Sequence, residues 1–143
     1  MIRRIFFVSF SIAILSFNLI SQEINKHVQT TSELIYNSKL STINLNIKFQ
    51  PIKGIHINTE PQIEFIPDLS SSLKIKKRII KKTNEDYLDT STPVQFIIQL
   101  NNKKIKLDSL KGKLQYYYCS DEEGWCNRFT QNISLPLNIP FNK

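Results

Sequence analysis

Thr42-Ile43-Asn44-Leu45-Asn46-Ile47-Lys48-Phe49 is the stretch on which the fold turns. Its apolar residues fall at every second position, with Asn44, Asn46 and Lys48 between them. One face of such a segment is buried and the other is wet, as in a half-buried β-strand. Downstream, Pro51 and Gly54 punctuate a turn, and Ile55-His56-Ile57-Asn58 resumes the alternation until Pro61. Residues 62–66 read as another short strand stopped by Pro67, and Asp68-Leu69-Ser70-Ser71-Ser72 as a loop by composition. Residues 73–82 form a basic strand, and lysines at that density suit a sheet edge, where they discourage edge-to-edge pairing. Residues 83–93 make a polar connection around Tyr87. Residues 94–100 are the most apolar strand and are expected to lie centrally. Asn101-Asn102 tolerates positive φ and is expected to turn that strand into a hairpin with residues 103–107. Residues 110–119 form a strand with Leu114, Tyr116 and Tyr118 on one face. The chain closes with residues 129–139, where Ile133, Leu135, Leu137 and Ile139 alternate and Pro136 favours an edge. Seven to nine short strands with almost no helical periodicity predict an all-β chain, an antiparallel β-sandwich, with an up-and-down barrel as the alternative.

Upstream of the first clear strand the chain changes character. Met1-Ile2-Arg3-Arg4 is a short basic region, followed by an uncharged, mostly apolar run from Ile5 to Ile20. That layout predicts a secretory signal peptide over residues 1–22, cleaved near Ser21 or Gln22. The alternative is an uncleaved anchor, although the run is short for a spanning helix, which needs about 20 apolar residues. Residues 23–41 read as a poorly structured lead-in, with at most a helical turn over 32–40, and residues 42–143 as the sandwich domain. No second hydrophobic run follows, so no integral membrane segment is expected after cleavage. Of the net charge of +7, Arg3 and Arg4 supply two, leaving about +5 on the mature part. Nucleic-acid binding is not expected of an exported chain without an aromatic-plus-basic motif.

Both cysteines and the one tryptophan fall within Tyr116-Tyr117-Tyr118-Cys119-Ser120-Asp121-Glu122-Glu123-Gly124-Trp125-Cys126. Cys119 ends one strand, and Cys126 is expected just before the next. With Gly124 to relieve the turn, the two are within disulfide reach. A disulfide persists in the oxidising compartment to which a signal peptide leads. Closing so small a loop stabilises by roughly 2.5 kcal/mol, less than a staple between distant strands. A short-loop bridge also opens without unfolding the domain, which favours a redox role. Asp121, Glu122 and Glu123 disfavour a nearby thiolate. Other chemistries lack their residues. There is no Ser/His/Asp grouping and no glycine-rich phosphate loop, and no cofactor is implied. Two cysteines without histidine neighbours do not make a zinc site, and the acidic turn lacks the spaced oxygen ligands of a calcium loop.

Lys53-Gly54-Ile55-His56-Ile57-Asn58-Thr59-Glu60-Pro61, then Gly112-Lys113-Leu114-Gln115-Tyr116-Tyr117-Tyr118-Cys119, Cys126 and Ile133-Ser134-Leu135-Pro136-Leu137, resemble the N-terminal domain of the thiol:disulfide interchange protein DsbD. The resemblance spans about residues 43–139. It implies a periplasmic immunoglobulin-like sandwich that relays electrons rather than acting as a stand-alone enzyme. Cys119 and Cys126 would be the exchanging pair, and thioredoxin-like redox proteins and a membrane electron carrier the partners. It also implies an aromatic cap loop over the disulfide. Glu85-Asp86-Tyr87-Leu88 lies at about that place, so Tyr87, with the flanking Trp125, is expected to shield the pair. The competing expectation is a secreted sandwich that binds a protein or envelope partner, with a purely structural disulfide and a lysine-rich binding surface over residues 73–82.

Overall fold

A computed structural model describes residues 24–83, 86–101 and 107–137. The expected signal peptide, over residues 1–22, lies outside them. Among the described residues there are eight strands: β1 (Val28–Asn37), β2 (Thr42–Pro51), β3 (Ile55–Asn58), β4 (Glu64–Pro67), β5 (Leu73–Ile79), β6 (Val94–Leu100), β7 (Ser109–Ser120) and β8 (Trp125–Pro136). One sheet has the order β1-β2-β6-β5, and the second is built on β7. There β8 pairs along the whole of β7, from Ser109↔Pro136 to Ser120↔Trp125. Its other edge is shared end to end by β3, opposite 117–120, and β4, opposite 112–115. All pairings are antiparallel. If β3 and β4 are taken as one interrupted strand C, the sheets read A-B-E-D and C-F-G, the constant-type immunoglobulin arrangement. The expected antiparallel sandwich is therefore what the chain forms.

The period-two pattern carries directly into burial. Ile43, Leu45, Ile47 and Phe49 of β2 and Val94, Phe96 and Ile98 of β6 are fully or almost fully buried. They face Ile57, Phe65, Leu110, Leu114 and Tyr116 of the second sheet. Phe49 meets Tyr116 edge-on across the sandwich at 5.0 Å between ring centroids, a geometry the aromatic quadrupole favours. Tyr116 has no exposed surface, and Asn25 Nδ2 donates to its hydroxyl at 3.1 Å. Burial pushes the phenol up to about 12. Gly112 lies where β4 crosses close to β7. A Cβ there would sit 2.5 Å from the Ile66 carbonyl oxygen and 2.7 Å from the Phe65 ring.

Two expectations are corrected. Much of the supposed lead-in, residues 23–41, is β1, paired over its full length with β2 from Val28↔Pro51 to Asn37↔Thr42. Its inward positions are Val28, Thr30, Ser32, Leu34 and Tyr36, and the two hydroxyl residues hide the apolar alternation. Thr30 and Gln131 exchange hydrogen bonds of 2.7 and 3.1 Å, which joins β1 to β8 at the side of the sandwich. The second correction concerns residue 100 onward. Both edges of β6 are occupied, by β2 and β5, so no edge is left for a hairpin partner. Leu100 instead ends the first sheet, and the chain crosses to β7 in the second; residues 102–106 lie outside the described ones. The central position of β6 and the edge position of lysine-rich β5 are as expected. A register shift between Ile75 and Lys77 adds a bulge to that edge.

Candidate functional site

Cys119 and Cys126 form a disulfide with Cα atoms 4.1 Å apart. They are direct register partners in the β7–β8 ladder, at the narrow spacing of a non-hydrogen-bonded antiparallel pair. Cys126 was expected ahead of its strand, yet β8 begins at Trp125, so the loop shrinks to residues 121–124. That hairpin is built by local chemistry. Gly124 adopts φ +69° and donates its N–H to the Ser120 carbonyl at 2.9 Å, while the Glu123 N–H bonds Ser120 Oγ at 3.2 Å. Only glycine takes that φ without a Cβ penalty. The disulfide therefore joins strands that the ladder and a four-residue turn already hold together.

Along β7 the even-numbered residues from Leu110 to Ser120 face the core, which places Cys119 on the outer face of its sheet. Cys119 is nevertheless only 5% exposed, and Cys126 beside it is exposed. The neighbours of Cys119 on that face are the outward residues of the two flanking strands. His56 on β3 is its register partner on the other side, so His56, Cys119 and Cys126 stand in line across three adjacent strands. Directly opposed antiparallel residues on one face have Cβ atoms about 4.5–5.5 Å apart. Beyond His56, the β5–β6 connection runs beside β3. Asn58 bridges to Tyr87, Thr59 N–H donates to Asp86 O at 2.8 Å, and Leu88 N–H donates to Ile57 O at 2.8 Å. These backbone bonds stack the Tyr87 ring on His56, with centroids 4.6 Å apart and planes 17° apart. Asp121, from the hairpin, receives both groups. The Tyr87 hydroxyl donates to Oδ1 at 3.1 Å, and His56 Nε2 lies 3.1 Å from Oδ2.

Tyr87 is thus brought to the disulfide end of the outer face. Trp125 is not. It pairs with Ser120 and shares the inner face with Tyr118, which it meets edge-on at 5.8 Å. His27 packs against the same indole at 5.2 Å, and the Trp125 Nε1–H donates to the Glu123 carboxylate. The indole packs against the core beneath the hairpin, on the sheet face opposite the disulfide. Two facing cysteines place their side chains on one face, and Trp125, one residue before Cys126, must point to the other.

The other end of the β5–β6 connection is also anchored. Asp89 accepts from Ser91 Oγ at 2.6 Å and from its N–H at 3.0 Å, and pairs with Lys81 Nζ at 3.0 Å. The Ser91 hydroxyl first, then Lys81, hold its carboxyl at about 2, well below the usual carboxylate range. Among the described residues no group of three or more His, Cys, Asp or Glu could hold a metal ion, and no helix is long and apolar enough to cross a membrane.

His56 and Asp121 are the members of the site that sequence reasoning missed. His56 was visible as an outward position of a short strand, and Asp121 as part of an acidic turn. Their meeting depends on the β3–β7 register, which neither segment encodes alone.

No family model matches the chain, and no curated protein does. Among solved structures, the chain is similar to the one described as the crystal structure of yeast GGA1_GAE domain-P21, at 17% identity and a TM-score of 0.47, over 79% of this chain and 95% of that one.

Proposed function

We propose that this chain is an exported thiol–disulfide exchange domain, periplasmic or secreted, whose Cys119–Cys126 pair passes electrons to or from thioredoxin-like partners. A membrane electron carrier would serve as the other end of the relay. One observation carries the proposal: the disulfide lies on an outer sheet face, its Cys126 side open to solvent, between strands that need no staple. A purely structural bridge adds most when it joins segments that are otherwise far apart in the unfolded chain. The same proposal accounts for the DsbD-like motifs around both cysteines, and for Tyr87 lying where a cap over the pair would lie.

The reaction would begin at Cys126, the exposed cysteine of the pair. A partner thiolate attacks Cys126 Sγ and forms a mixed disulfide, and the Cys119–Cys126 bond breaks with its electron pair on Cys119. The partner's second thiol then displaces Cys126, leaving this chain as a dithiol and the partner as a disulfide. Two electrons have moved from partner to chain, and the reverse sequence returns them. Tyr87, held by Asp121 and stacked on His56, limits approach from the β3 side.

The test is a Cys119→Ser variant incubated with an oxidised thioredoxin-like protein, alongside the reduction potential of the unaltered pair. A mixed disulfide through Cys126 and a potential above about −300 mV are expected. A potential well below that value, in the range of structural disulfides, together with no mixed disulfide, would remove the proposal. That outcome would favour a binding module with a structural bridge, for which Lys74, Lys76 and Lys77 of the β5 edge are exposed.

A further inference from the structure

We infer that His56 stabilises the thiolate that Cys119 becomes when the disulfide opens, with Asp121 and Tyr87 holding the imidazole in place. The inference rests on the exchange reaction proposed above and assigns to it a residue outside the cysteine pair. It starts from the asymmetry of burial. Cys126 is the exposed residue of the pair and Cys119 is only 5% exposed, so a partner attacks Cys126 and Cys119 is the leaving group. A leaving thiol departs faster as its pKa falls, and burial works against the charged form. The hairpin compounds the difficulty, because Asp121, Glu122 and Glu123 are all acidic. Cys119 therefore needs a compensating donor or cation on its own side.

His56 is the residue so placed. It opposes Cys119 in register on the outer face, as Cys126 does from the other strand. Arg128 shares that face but opposes Tyr117, two residues along β8 from Cys126, so it is a diagonal neighbour of Cys119 where His56 is a direct one. The imidazole is held from two sides. Asp121 approaches Nε2 from the hairpin at 3.1 Å, and Tyr87 covers the ring from the β5–β6 connection. Tyr87 is itself tied to Asp121. Of the other charged groups nearby, Asp86 pairs with Lys82 at 3.7 Å and the Glu123 carboxylate accepts from Trp125, while Glu122 is exposed in the same hairpin. With Nε2 directed at a carboxylate, Nδ1 is the nitrogen left to exchange a proton. Only the protonated imidazole carries a donor on both nitrogens. In that form, when a partner thiolate bonds to Cys126 and the disulfide electron pair remains on Cys119, it can face the new anion across the β3–β7 register or protonate it. Solvent then restores the imidazole proton.

The experiment separates this role from the exchange reaction. In a Cys126→Ser background, the lone Cys119 thiol is titrated by its thiolate ultraviolet absorbance, with His56, His56→Gln or His56→Arg. Circular dichroism confirms that each variant is folded. The Gln variant is expected to titrate about one pH unit higher, the lower end of the effect of an opposite charge at this range. The Arg variant, a fixed cation, is expected to return the titration to that of the His56 protein or below it. In the two-cysteine protein, His56→Gln should slow reduction by dithiothreitol at pH 7 by roughly three- to tenfold. An unchanged Cys119 titration in the Gln variant overturns the inference, as does an Arg variant that behaves like Gln. Neither readout involves a protein partner. A shifted titration with no exchange toward thioredoxin-like proteins would leave the His56 role standing and remove the proposed function. An unshifted titration with normal exchange would do the reverse.

Discussion

Reduction of the Cys119–Cys126 bridge should leave the sandwich folded, and the size of the loss follows from the structure. The cysteines are seven residues apart, and the chain-entropy treatment of so small a loop gives about 2.5 kcal/mol. Nothing larger is expected, because the bridge joins neighbours in a twelve-pair ladder whose register runs unbroken from Ser109 to Ser120. Cys119 is not part of the core cluster around Ile47, Phe96, Leu114 and Tyr116. Core packing therefore remains when the bond is cut. A domain of this size is typically stable by 5–15 kcal/mol, so even the full loss leaves the reduced form predominantly native. The assay is urea unfolding of the oxidised and reduced protein, followed by tryptophan fluorescence and circular dichroism. The midpoint should fall, and the slope should change little, because both forms bury the same surface. Unfolding on reduction, or a loss above about 4 kcal/mol, would refute the reasoning. It would mean that the bridge holds β8 on the domain and that the ladder does not. A pair that unfolds its own domain when reduced cannot cycle, so this measurement also bears on the exchange proposal.

Further outcomes follow from the same geometry. Tyr87→Ala, which removes the ring over His56 and the bond to Asp121, should speed reduction by dithiothreitol several-fold and shift urea stability by less than about 1 kcal/mol, as for an exposed hydrogen bond. Gly112→Ala should destabilise by about 1–3 kcal/mol in urea unfolding, because its Cβ would meet the Ile66 carbonyl and the Phe65 ring at 2.5–2.8 Å. Tyr116 is raised to about 12 from the usual 10. Its neutral form is favoured on folding, and that contribution is whole below pH 10 and lost as pH rises toward 12. Tyr116→Phe should flatten this alkaline loss while removing about 1 kcal/mol at neutral pH with the Asn25 hydrogen bond. Asp89 runs the other way. Its carboxyl is depressed to about 2, so its contribution is present above about pH 4 and lost as pH falls toward 2. Asp89→Asn should make acid unfolding over that window shallower.

The residue pattern alone specifies local structure. Period-two alternation in Ile43-Asn44-Leu45-Asn46-Ile47 and in Val94-Gln95-Phe96-Ile97-Ile98 specifies strands with one buried face, because successive side chains point to opposite sides. Lysines marked β5 as an edge, and two cysteines around an acidic, glycine-bearing turn marked a bridged hairpin. Where the inward residues were Thr30 and Ser32, the same rule operated without an apolar signal, and β1 was read as a lead-in. Tertiary structure decided the rest. Leu73–Leu100 pairing took the edge of β6 that Asn101-Asn102 would otherwise have turned a hairpin onto. The register of β3 on β7 set His56 opposite Cys119, and a backbone bridge between Asn58 and Tyr87 carried the phenol over that imidazole. Strand register is a property of two segments together, and a one-residue slip would send His56 to the other face. That dependence is why the cysteines are legible in the chain and the meeting of His56 with Asp121 beside them is not.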